Sequence, residues 1–118
     1  MIIAINFTFF VKAKNKDKAL KIFNSIKNKI LEIQEVSLEP YWKEKNMFVI
    51  KAIYPLDIVD PEHAVFTTLS IVNILSNDIN IQGPIVFEDG SLIFSGYCNK
   101  TTISGLDFFT FSLHKHEN

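Results

Sequence analysis

The chain has 118 residues, of which 47% are hydrophobic and 21% are charged, and it includes 11 phenylalanines. A domain of this length buries roughly two-thirds of its unfolded surface, so the composition predicts one folded domain over residues 1–118 and excludes a disordered chain. Cys98 is the only cysteine, which excludes an intramolecular disulfide and a multi-cysteine zinc site.

The charge is unevenly distributed along the chain. Residues 1–31 contain seven lysines against Asp17 alone, a net charge of +6, whereas residues 32–118 contain five lysines against twelve acids, a net charge of −7. There is no arginine, so the usual bidentate reader of phosphate and guanine is missing.

The first half of the chain predicts four elements. Residues 2–11 alternate as a strand with one buried face, and residues 16–31 have an apolar stripe at helical spacing, with Asn15 as N-cap. Two strands follow at 34–42 and 47–54. In the first of these, Pro40 favours an edge position, and the second is apolar on both faces, which favours a central one.

The second half predicts a helix and three strands. Asp60 and Pro61 suit the N-cap and first position of a helix that ends near Leu75 and buries Val65, Leu69 and Val72. Ser76-Asn77-Asp78 is expected to end this helix, and strands are predicted at 79–87 and 91–98, joined by an Asp-Gly turn. A polar loop over 99–105 then leads to a last strand at 106–113.

The predicted order is β-α-β-β-α-β-β-β. It indicates an α+β domain with a mostly antiparallel sheet and two helices on one face. The first six elements match a ferredoxin-like βαββαβ core, to which further C-terminal strands are added.

No catalytic or cofactor site is predicted. Cys98 ends an apolar strand and is interpreted as a buried core residue, although His63 or His114 would be the base if it were a nucleophile. His114, His116 and Glu117 are interpreted as a solvated tail rather than a metal site. The N-terminal residues lack a signal-peptide pattern and no apolar run spans a membrane, which favours a cytoplasmic protein without membrane contact.

Nucleic-acid binding is not expected either. The lysines of the first helix surround an apolar stripe, as in any solvated amphipathic helix, and an aromatic and basic sheet face typical of single-strand binders is not evident.

An acidic surface with aromatic residues is the candidate binding site. Such a surface suits a basic protein partner, because complementary charge speeds association and aromatic side chains supply binding energy. The nominated residues are Glu35, Glu39, Tyr41, Trp42, Glu44, Asp57, Asp60, Glu62, Glu88 and Asp89. We expect charge reversal at Glu39 and Glu44 to weaken partner binding.

The C-terminal third has the order helix, "GP" strand, acidic turn, "F.G" strand and aromatic strand. This order is carried by Gly83-Pro84, Glu88-Asp89, Phe94, Gly96 and Phe109. It resembles the small α/β immunity proteins of bacterial contact-dependent growth inhibition and polymorphic toxin systems, whose members often carry Trp near the position of Phe109. The resemblance implies that the chain binds and neutralises a cognate toxin domain, often a basic nuclease, inside the cell.

Two other functions remain open at this stage. One is a small-molecule-binding or dimerising α+β barrel module, whose pocket would be lined by Phe7, Phe9, Phe87, Phe94, Phe109 and Phe111. The other is an enzyme in which Cys98 or a histidine lies in a cleft.

Overall fold

The protein is described from a computed structural model, which covers the backbone of residues 2–89 and 91–115. The elements are β1 (Ile2–Lys12), α1 (Lys16–Lys29), β2 (Gln34–Pro40), β3 (Met47–Ile58), α2 (Pro61–Leu75), β4 (Ser76–Val86), β5 (Leu92–Thr101) and β6 (Leu106–Lys115). This confirms the predicted α+β class and the order of the elements along the chain.

All six strands form one antiparallel sheet in the order β2-β3-β1-β6-β5-β4. Each helix takes the chain from the middle of the sheet to an outer edge, and hairpins then bring it back beside β1. The edge position of β2 and the inner position of β3 agree with the predictions made from Pro40 and from the apolar character of β3.

The ferredoxin-like arrangement is not confirmed. That plan puts the strand after the second helix next to β1, whereas here β6 holds that place and β4 lies at the far edge. Short connections keep β4, β5 and β6 adjacent in that order, and α2 leads the chain to the far edge of the sheet, so β6 rather than β4 returns beside β1.

Both helices begin with the predicted side-chain caps. The Asn15 Oδ1 atom accepts a hydrogen bond from the Lys18 backbone N–H at 2.9 Å, and the Asp60 Oδ2 atom accepts one from the His63 backbone N–H at 3.3 Å. Pro61 occupies the start of α2 as expected.

α2 ends at Leu75 with Ser76 as its C-cap, as predicted, but β4 already begins at Ser76, and residues 99–101 are strand rather than loop. The Ser76 hydroxyl lies 2.5 Å from the Lys100 carbonyl oxygen, and Asp78 pairs with Lys100 across the two strands. These pairings satisfy the backbone, so α2 passes into β4 without a loop and β5 continues to Thr101.

One hydrophobic core lies between the helices and one face of the sheet. Phe7 and Phe9 stack with their ring centroids 5.2 Å apart, Phe109 lies 5.6 Å from Phe9, and Phe94 contacts Phe111 at 5.8 Å. These five rings are fully buried or nearly so, and Phe87 is 47% exposed in the β4–β5 turn. The phenylalanines considered as a pocket lining therefore fill the core by packing on each other.

Candidate functional site: an acid-rimmed apolar groove on α2

The outward faces of the two helices differ in chemistry. α1 carries five exposed lysines, as a helix that faces water normally does. α2 carries no lysine, and its outward face includes Phe66, which is 72% exposed, and Ile74, which is 44% exposed. α2 therefore exposes two large apolar side chains among the polar side chains of Glu62, His63, Ser70 and Asn73.

The buried stripe of α2 matches the predicted one only at Val72. Ala64, Thr68 and Val72 face the core, whereas Val65 and Leu69 are only half-buried. Thr68 tolerates burial because its hydroxyl donates a 2.7 Å hydrogen bond to the Ala64 carbonyl oxygen. Val65 and Leu69 are thus free to line the surface beside the helix.

A groove of about 280 Å³ lies between the first half of α2 and the β4–β5 hairpin. We call it the α2 groove. Buried Leu92 is part of its lining, and every lining side chain is apolar except Glu62. The lining residues are Pro61, Glu62, Val65, Phe66, Leu69, Pro84, Val86 and Leu92.

The apolar surface continues beyond the α2 groove. A neighbouring depression of about 310 Å³ shares Phe66 and Leu69 with it and reaches Ile79. On the hairpin, Ile85, Val86 and Phe87 are each about half exposed. An apolar surface that extends over two elements is typical of a site that binds a protein partner or a ligand.

Acidic residues lie in the connections next to this surface. The two connections at this end of the molecule, residues 57–62 and 87–91, hold five acids and no lysine. More broadly, residues 52–99 contain six acids and neither lysine nor arginine. Glu62 lines the α2 groove and the two connections beside it carry further acids, which favours a positively charged partner.

The predicted site residues fall into two groups at opposite ends of the sheet. Strand β1 pairs with β3 from Lys12↔Met47 at one end to Ile2↔Ile58 at the other, a separation of roughly 30 Å. Asp57, Asp60, Glu62, Glu88 and Asp89 lie at the Ile2 end, which we call the acidic end. Glu39, Tyr41, Trp42 and Glu44 lie at the Lys12 end, and Glu35 is on the β2 edge between them.

The Lys12 end has a protruding aromatic turn, residues 41–46, which joins β2 to β3. Trp42 is 83% exposed, and its ring lies 6.5 Å from Tyr41. Tyr41 in turn packs edge-on against Phe10 at 5.1 Å. The turn is held by hydrogen bonds from the Tyr41 backbone N–H to the Met47 carbonyl oxygen and from the Ala13 N–H to the Asn46 carbonyl oxygen, both 2.9 Å.

The apolar lining of the α2 groove was missed by sequence reasoning. Pro84 and Val86 belong to a predicted strand, and Val65 and Leu69 were expected in the core. The available signal was the lack of any lysine between residues 52 and 99, together with Phe66 outside the predicted buried stripe.

The residues considered for catalysis do not form a site in the described part of the chain. Cys98 is fully buried, and burial raises the pKa of its thiol to about 11, with a smaller opposing effect from a hydrogen bond to Ser76 and a small further rise from Asp78. Its neighbour Ser76 follows the last turn of α2, whereas His63 is in the first turn, about 20 Å away along the helix axis. The His114 side chain, His116 and Glu117 lie outside the described residues.

Three further observations bear on function. Within residues 2–89 and 91–115, no group of three or more His, Cys, Asp or Glu side chains is placed to hold a metal ion. Neither described helix is long and apolar enough to cross a membrane. Comparison with known proteins gave no matching family model, no matching curated protein and no matching solved structure.

Proposed function

We propose that this chain is a non-enzymatic binding protein that uses the α2 groove to bind a basic protein partner. We further propose that the partner is a cognate bacterial toxin domain, so that the chain acts as an immunity protein in the cytoplasm. The observation that carries the proposal is the apolar groove, lined also by Glu62, whose residues all belong to a lysine-free stretch of 48 residues, 52–99.

The groove has the composition of a protein-binding hot spot. Phe66 stands exposed beside half-buried Val65 and Leu69, so a partner side chain placed there contacts three apolar residues at once. Covering a side chain of this kind contributes about 2 kcal/mol. The side chains already lie on a helix and a hairpin, so little ordering is needed when the partner binds.

The acids beside the α2 groove indicate the charge of the partner. Glu62 lines the groove, Asp60 precedes it on the same helix, and Glu88 follows Val86 in the adjacent turn. A basic surface is attracted to these carboxylates, so charge guides the encounter. Nuclease toxins are basic because they bind phosphates, which agrees with the role implied by the resemblance to immunity proteins.

The test is direct neutralisation. The C-terminal domain of the protein encoded immediately upstream would be purified and its toxic activity measured with and without this chain. We expect one-to-one binding at nanomolar affinity, weakened by added salt, and loss of toxin activity in the complex. A folded upstream domain that neither binds the chain nor loses activity would contradict the proposal.

The alternative of a ligand pocket lined by phenylalanines has no comparable support. Phe7, Phe9, Phe94, Phe109 and Phe111 are at most 2% exposed and pack ring against ring. The observations favour a surface site for a protein over an enclosed site for a small molecule.

A further inference from the structure

The two ends of the sheet carry opposite charge. At one end, residues 12–18, 39–46 and 107 hold six lysines against Asp17, Glu39, Glu44 and Asp107, a net charge of +2, and Asp107 Oδ1 lies 3.3 Å from Lys12 Nζ. The hydrogen bond from Ala13 N–H to the Asn46 carbonyl oxygen joins the first two of these segments, so their lysines form one basic region, the lysine end. At the acidic end, residues 57–62 and 87–91 hold five acids, and with Lys115, whose backbone pairs with Ile2, the net charge is −4.

The two ends are also complementary in shape. The aromatic turn protrudes from the lysine end and exposes most of the Trp42 indole, with the Lys43 ammonium 5.1 Å from the ring centroid. The acidic end contains the apolar α2 groove of about 280 Å³. The Trp42 side chain is of a size that the α2 groove can hold, and the lysines beside Trp42 are opposite in charge to the acids beside the groove.

The aromatic turn is supported well enough to act as a rigid projection. Trp42 contacts Tyr41, Tyr41 contacts Phe10, and Phe10 stacks on Phe108 at 4.2 Å, which anchors the turn to two central strands of the sheet. A side chain held in this way loses little conformational freedom when it is covered.

We propose that the chain associates with itself head to tail, the Trp42 turn of one copy entering the α2 groove of the next. Because the projection and the groove lie at opposite ends of one molecule, the contact is heterologous and leaves a free projection and a free groove on each assembly. The proposal does not rest on the identity of any toxin. A partner that occupies the α2 groove would compete with this association.

The single tryptophan makes the test direct. Trp42 emission and the sedimentation coefficient would be measured from low micromolar to near-millimolar protein at low ionic strength. We expect the emission to shift to the blue and the sedimentation coefficient to rise together, and both changes to be reduced by salt. Emission and sedimentation that do not change with concentration would overturn the proposal.

Two variants locate the contact. Phe66→Asp alters only the groove, roughly 30 Å from Trp42 in its own chain, so it removes the emission change only if Trp42 lies in another copy's groove. Leu31→Asp is the matched control, because Leu31 on the α1 side is also 72% exposed. Equal concentration dependence in both variants would overturn the proposed contact.

A mixing experiment tests the head-to-tail geometry. Trp42→Ala and Phe66→Asp are each expected to be monomeric, whereas their mixture contains one intact projection and one intact groove and should form heterodimers. Homodimers in either variant alone would indicate a symmetric contact and overturn the proposal. If the wild-type chain stays monomeric but still neutralises the toxin, only the self-association fails, whereas self-association without neutralisation removes only the proposed immunity function.

Discussion

Phe10 and Phe108 stack face to face on the helix-free side of the sheet, with 4.2 Å between ring centroids and 11° between ring planes. Their neighbours in sequence, Phe9 and Phe109, point the other way into the core and lie 5.6 Å apart. In Phe9-Phe10 and in Phe108-Phe109, one ring therefore lies on each face of the sheet, because side chains alternate along a strand. The outer stack connects the core strands to Tyr41 and the exposed Trp42.

Phe108→Ala should loosen the aromatic turn. Loss of the stack removes the support beneath Phe10, so we expect stability to fall by about 1–2 kcal/mol and Trp42 to gain motion. Urea unfolding measures the stability change, and Trp42 fluorescence anisotropy measures the motion. Phe108→Leu is the control, since it keeps most of the apolar volume. Unchanged anisotropy in Phe108→Ala would show that the turn does not depend on the stack.

Cys98 should destabilise the protein at alkaline pH. Burial raises the thiol pKa in the folded state to about 11, above its ordinary value of 9.0, so the folded state holds its proton more tightly than the unfolded state. The contribution of the buried, protonated thiol to the free energy of unfolding is fully present below pH 9. It is lost as the pH rises through 11, a change on the order of 2 kcal/mol. The free energies of unfolding of wild type and Cys98→Ala, compared between pH 8 and 11, measure this loss. We expect Cys98→Ala to lack the part of the pH dependence that the thiol causes. Parallel pH profiles would refute this assignment. At neutral pH the folded thiol should also resist thiol reagents.

Gly96→Ala should be strongly destabilising. A Cβ at this position would collide with the Asn80 backbone oxygen and would lie 2.7 Å from the Phe111 ring carbon Cζ. Phe111 is buried and Asn80 is in the neighbouring strand, so neither can move away without disturbing the sheet. We expect a loss of about 2–4 kcal/mol in chemical denaturation. Ser95→Ala is the neighbouring control and should be close to neutral. A loss no larger than that of the control would mean that β4 and β5 separate easily here.

Charge reversal should distinguish the two ends of the molecule. Glu62→Lys with Glu88→Lys reverses charges beside the α2 groove, and we expect toxin affinity to fall at least tenfold, mainly through slower association. Glu39→Lys with Glu44→Lys makes the same charge change at the lysine end. The sequence led us to expect weakened binding from Glu39 and Glu44, whereas the position of the groove predicts a much smaller effect there. Surface plasmon resonance at two salt concentrations measures both pairs, and an equal effect would place both ends in the interface.

Local chemistry made most of the elements predictable from the sequence. The caps Asn15 and Asp60, Pro61 at the start of α2 and the alternation of β1 each depend on neighbours in the chain. The order of the strands in the sheet was harder to predict from the sequence. Whether β4 or β6 lies beside β1 depends on the α2–β4 connection. The polar run Ser76-Asn77-Asp78 predicts the end of α2 but not that β4 begins there without a loop.

The candidate site was only partly predictable for a related reason. Charge counts indicated an acidic surface, and Glu62 and Glu88 belong to it, but strand register sends Glu39 and Glu44 to the opposite end. The apolar lining was hidden because hydrophobic spacing assigns Val65 and Leu69 to the core. The buried Thr68 donates its hydroxyl hydrogen bond within its own helix, so it can lie in the core while Val65 and Leu69 are only half-buried.

The most direct test of the central claim is a calorimetric titration of the toxin domain with wild type, Phe66→Asp and Leu31→Asp. Both substitutions place an aspartate at a side chain that is 72% exposed, so they are matched in exposure and charge and differ in position. We predict that Leu31→Asp binds like wild type and that Phe66→Asp loses at least a hundredfold in affinity, about 2.7 kcal/mol. Equal affinity of the two variants would show that the α2 groove is not the binding site.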